Sequence, residues 1–209
     1  MKVGFIGAGR MATTMGRHFL TAGHEIVLSH SKGPESLSEA VAELGPGASA
    51  GSKQQAVDCD VVILATNWVN APEALKGVDW RGKILVDGAN AHMDADPDTS
   101  QAGVEKSVAA LDGRTSSEKV AEMAPGARLV KSISNMPMGW IQDFSPQKPK
   151  TVIFASGDDA EAKAIVIDLI NSTGLVGFNL GGLQQGGALQ QLGGPLSAVE
   201  LHFVRQLVR

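Results

Sequence analysis

The chain is poor in the residues that build disulfide frameworks, metal centres and charged binding surfaces. A single cysteine, Cys59, excludes an intramolecular disulfide and a multi-cysteine metal site. It precedes a β-branched run and reads as an inert core thiol. The five histidines (His18, His24, His30, His92, His202) show no ligand-like pairing, so no metal is expected. Only 19% of residues are charged, without a long run of one sign. The net charge of −4 argues against a nucleic-acid or anionic-membrane surface. No apolar window approaches a membrane span, and the N-terminal stretch is too short for a secretory h-region. A cytoplasmic protein is the expectation.

What is plentiful is glycine, 25 in 209 residues, several of them in short groups such as Gly7/Gly9 and Gly186-Gly187. Glycine gathers where backbone turns tightly or must come close to a ligand. Apolar strand runs alternate with helical patterns along the chain: Lys2 to Ile6, Glu25 to Leu28, Val61 to Ala65, Lys83 to Val86 and Arg128 to Ile133 are the clearest strands. This alternation predicts an α/β Rossmann fold, a doubly wound, mostly parallel sheet covered on both faces. Residues 1–145 are read as the dinucleotide-binding domain and 146–209 as a small C-terminal α/β extension. Residues 92–113 read as a loop or lid with some helix, and Asp143 to Lys150 as a linker. A helix is predicted from Pro195, with Leu196, Val199 (or Leu201), Phe203 and Leu207 as an apolar stripe that suits either a homodimer contact or packing on its own sheet.

The motif Gly7-Ala8-Gly9-Arg10-Met11-Ala12 opens directly from the first strand into a helix. Gly7 allows the tight turn, Gly9 leaves no side chain between backbone and pyrophosphate, and Ala12 lets the helix lie close to the sheet. The pyrophosphate then meets the helix N-terminus, where free N–H groups and the dipole favour negative charge. NAD sites usually carry an acidic residue at the end of the second strand for the ribose 2′-hydroxyl. Here Ser29-His30-Ser31-Lys32 stand there instead, and hydroxyls, an imidazole and an ammonium suit a 2′-phosphate. NADP(H) is therefore the predicted cofactor. Two further strand ends face the same crevice: Ala65-Thr66-Asn67, and Gly88 followed by Ala89 and Asn90. Trp68 is assigned to loop packing.

The N-terminal GFIGAGRMA, the strand ending in Ser29-His30, the segment from Pro125 to Pro137 and the stretch from Ser156 to Ala164 together resemble the NADP oxidoreductases that depend on the deazaflavin coenzyme F420. The resemblance runs over nearly the whole chain. It implies hydride transfer between NADP(H) and a flavin-like partner: deazaflavin, flavin or a ferric species. In that family a Ser-Arg pair holds the 2′-phosphate; Ser29 matches the Ser, and His30 stands at the Arg position. The deazaflavin site falls beside Ser134, Asn135, Met136 and Pro137, with Ser134 where relatives often carry a His.

Such hydride transfer needs no protein nucleophile, and no catalytic side chain is expected. Alternatives are a non-catalytic NADP(H)-binding redox sensor and an imine reductase like the pyrroline-5-carboxylate reductases. The latter's helical dimerisation domain does not fit the strand-containing residues after Pro137.

Overall fold

The computed structural model describes residues 1–93, 98–142 and 150–204. One sheet runs through the molecule in the order β3-β2-β1-β4-β5-β6-β7-β8, with β9 beside β7. The strands are β1 (Lys2–Ile6), β2 (Glu25–Ser29), β3 (Ala48–Ala50), β4 (Val61–Leu64), β5 (Ile84–Asp87), β6 (Arg128–Ser132), β7 (Lys150–Ser156), β8 (Val176–Asn179) and β9 (His202–Phe203). The first six are mutually parallel, β7 runs antiparallel to β6, and β8 returns parallel to β7. The α/β Rossmann architecture is thus present, and β7 and β8 widen the same sheet.

The helices are α1 (Arg10–Thr21), α2 (Ser38–Leu44), α3 (Lys53–Val57), α4 (Ala71–Leu75), α5 (Gln101–Ala109), α6 (Ser116–Met123), α7 (Ala160–Ser172) and α8 (Leu183–Gln190). Strand alternation divides the core between the two faces. Val61 and Ile63 join Phe5, Met15 and Phe19 on the α1 face, while Val62 and Leu64 join Leu75, Trp80 and Leu85 on the other. A strand buried on both faces cannot alternate polar and apolar residues, which is why VVIL is apolar throughout.

Two local expectations are corrected. No helix starts at Pro195: residues 191–198 form turns and bends, Ala198 has φ +55°, and His202–Phe203 pair with Thr151 and Lys150 of β7. Gly193 and Gly194 weaken a helix at its start, and the free edge of β7 offers the backbone better partners. The Gly-interrupted segment before it does form a helix, α8. A β-carbon at Gly186 would sit 2.4 Å from Ser156 Oγ, so these glycines permit close packing rather than a turn. The lid region contains α5, N-capped by Ser100. Part of that region, residues 94–97, lies outside the described residues, as do 143–149 of the expected linker and Leu207. No helix among the described residues is long and apolar enough to cross a membrane.

Candidate functional site

Register places Ser29, Ile6, Leu64, Asp87 and Lys131 in one row across the carboxyl edge of the parallel sheet. The order turns back between β1 and β4, the switch point where such sheets bind ligands. Gly7 leaves β1 with φ +108°, a conformation few other residues adopt. Gly9 is the N-cap of α1 in extended geometry without a side-chain cap, so the first N–H groups of the helix stay open to an anion. A β-carbon at Gly9 would meet nothing within 4 Å. That empty space is what a pyrophosphate lying against the turn requires. Ala12 is fully buried against the sheet.

Two cavities flank this turn. The larger, about 620 Å³, is bordered by Gly7, Ser29, His30, Ser31, Lys53 and Thr66, among others. It lies where the sequence reading puts the adenosine half of the cofactor. Ser29 itself is buried, and its hydroxyl donates to the Phe5 carbonyl at 2.8 Å, so it serves the pairing of β2 with β1. His30 and Ser31 are exposed at the cavity, and His30 Nδ1 accepts from the Lys32 N–H at 3.2 Å. Lys32 is exposed and does not border it. Lys53 does, with its ammonium 2.7 Å from the Lys76 carbonyl. It supplies a cation that sequence reading missed; its position after the Ser52 cap of α3, a short helix pointing at the same edge, was the available signal.

The smaller cavity, about 260 Å³, is bordered by Gly9, Arg10, Met11, Ala65, Thr66, Asn67, Trp68, Gly88, Ala89, Asn90 and His92. It brings together the three strand ends that the sequence pointed to. Asn90 Nδ2 donates to the Ser134 carbonyl at 3.0 Å, joining the ends of β5 and β6. Trp68 is buried in the core beside Ile6 and Leu64 and only borders the cavity. His92 was read as lid; burial lowers its imidazole pKa below the usual histidine value. Ala8 is half-buried in the turn.

The expected acceptor edge is placed differently. Ser134, Asn135 and Met136 are buried, and only Pro137 is exposed. None of the four borders either cavity. Asn135 is covered by the C-terminal turns, where the Ala198 N–H donates to its carbonyl at 2.6 Å. Ile133, just before them, is a β-branched residue at φ +62°, a strained conformation.

Residues 2–91 match the family described as NADP oxidoreductase, coenzyme F420-dependent. The matched span holds the glycine turn and the ends of β2, β4 and β5. The match supports NADP(H) as the dinucleotide. A protein of Sinorhizobium meliloti, SMa0349, whose structure carries no assigned activity, is 32% identical, with TM-score 0.86 over 98% of this chain and 97% of its own. A candidate F420-dependent NADP-reductase of Arthrobacter sp. FB24 is 23% identical, with TM-score 0.68 over 88% and 86% of the two chains. The reductive aminase of Aspergillus terreus, solved with NADPH and ethyl-5-oxohexanoate, is 20% identical with TM-score 0.61; 90% of this chain aligns to 56% of that one.

Proposed function

We propose that the chain transfers hydride between NADPH and a flavin-like acceptor, either a deazaflavin such as coenzyme F420 or a flavin. The observation that supports this most is the smaller cavity, which runs from the glycine turn at one end to Asn90 and His92 at the other. When bound, NADPH supplies the hydride at its nicotinamide ring. The protein's part is then alignment and exclusion of water. The α1 N-terminus and Gly9 hold the pyrophosphate; His30, Ser31 and Lys53 face the 2′-phosphate. Thr66, Asn67 and Asn90 orient the nicotinamide half. His92, whose burial favours the neutral ring, offers a hydrogen bond to the polar edge of the acceptor. Ser134 to Met136 support this wall from behind, through the Asn90 bond.

The test is NADPH oxidation followed by absorbance against FMN, FAD, deazaflavin and ferric chelates, with NADH as the control donor. Turnover is expected with a flavin-like ring and NADPH preferred over NADH. Alanine variants along the cavity should slow turnover without any one abolishing it. NADPH binding without oxidation by any acceptor would instead favour the redox sensor.

A further inference from the structure

Asp87 and Lys131 are both completely buried at facing positions of β5 and β6, with Lys131 Nζ 3.3 Å from Asp87 Oδ2. Removing two charges from water is costly, and well-packed apolar residues often serve stability equally well. What the pair holds is therefore the better guide to its role. Lys131 Nζ donates to the Ala89 carbonyl at 2.6 Å, and the Ala89 N–H donates to Asp87 Oδ1 at 3.0 Å. Both backbone polar groups of one residue are gripped by the pair. Ser117 Oγ of α6 donates to Asp87 Oδ2 at 2.6 Å, and the Lys131 carbonyl accepts from Gln190 of α8 at 3.2 Å. The grip is anchored in two helices.

Ala89 lies between Gly88 and Asn90, and all three border the smaller cavity. Gly88 is itself confined: a β-carbon there would come to 2.6 Å of Met11 Sδ. We propose that the Asp87–Lys131 pair is a positioning device for the nicotinamide half of the cofactor, setting how far the Gly88–Asn90 edge stands above the sheet. The inference rests on NADP(H) lying along this edge and not on which acceptor is used.

The test is D87N/K131M. This variant removes both charges without leaving one unpaired. The new amide's oxygen still accepts from the Ala89 N–H and its NH2 donates to Ser117 Oγ, but methionine cannot hold the Ala89 carbonyl. Dissociation constants are measured for NADPH and for 2′-phospho-ADP-ribose, which lacks the nicotinamide. NADPH binding is expected to weaken roughly tenfold while 2′-phospho-ADP-ribose changes by less than about twofold. Unchanged NADPH affinity, or an equal loss for both ligands, overturns the proposal. Should the double variant not fold, S117A carries the same comparison, because it loosens Asp87 without breaking the ion pair. A smaller loss confined to NADPH is expected there, and no difference between the ligands overturns the proposal. If the wild-type chain binds NADPH no better than 2′-phospho-ADP-ribose, the placement of the nicotinamide on this edge fails, and the proposal with it.

Discussion

At Gly9 a methyl group would meet no atom within 4 Å, whereas at Gly7 it would come to 2.3 Å of the Ala65 carbonyl oxygen. The two glycines of one motif therefore separate folding from binding. Gly9→Ala should fold as the wild type does, since its φ of −81° suits any residue. It should bind NADPH at least about tenfold more weakly, because the methyl enters the pyrophosphate's space. Gly7→Ala, at φ +108°, should also lose about 1–3 kcal/mol of stability. Urea unfolding and fluorescence titration of NADPH measure both. A Gly9→Ala protein with undiminished affinity would remove the pyrophosphate from this turn. These glycines were legible because the motif is written in backbone requirements. Ser29 was less so: only the register of β2 on β1 turns its hydroxyl inward to Phe5. Lys131 left a trace, as one charge inside the apolar RLVKSI run, yet its partner lies 44 positions away and no local pattern joins them.

Among the elements, α7 is fastened most clearly by charge. Arg128 at the start of β6 makes a two-pronged contact with Asp159, at 2.6 and 2.9 Å, while Asp159 also caps α7 through the Ala162 N–H at 2.9 Å. The guanidinium holds the Asp159 carboxyl well below the usual carboxylate range. A carboxyl depressed in the folded state adds stability above its unfolded value of 3.8, and that contribution is lost as pH falls further. Asp159→Ala should lower Tm by several degrees at pH 7, and more than Glu161→Ala, whose carboxylate is far more exposed. Equal Tm values for the two variants would show that the cap and the paired Arg128 contact add nothing. The elements with clear apolar runs, β1, β2, β4, β5 and β6, and the helix α1 opened by the glycine motif, were readable from sequence. The segment after Pro195 was not, because its fate depends on the edge of β7 and on Asn135, partners that no helical stripe reveals.

For the molecule as a whole, histidines with lowered pKa shape the acid side of the stability curve. His18, with Nε2 2.6 Å from the Ile141 carbonyl, has a lowered pKa because burial outweighs that hydrogen bond. His24 is lowered too, by burial and then by the N-terminal ammonium. In both cases the folded state prefers the neutral ring. The unfolded chain binds protons first as pH falls below 6.5, so stability should decline there and be nearly constant between pH 7 and 8. The decline should be shallower in His18→Gln. Chemical denaturation across pH 5 to 8 measures it, and a curve for His18→Gln parallel to the wild type would remove His18 from the account.

The Asp87–Lys131 pair also bears on how the sheet finds its alignment. Both side chains lie on the face that α6 covers, since Leu85 and Leu129, two residues before each, belong to that face's core. A slip of β6 by one residue would turn Lys131 into the opposite core, among side chains such as Val86 and Ile153, and leave Asp87 facing no cation. Hydrophobic strands such as β4 tolerate small shifts in pairing with little loss. A solitary buried charge does not, so misaligned pairings of β5 and β6 stay too unstable to trap the chain during folding.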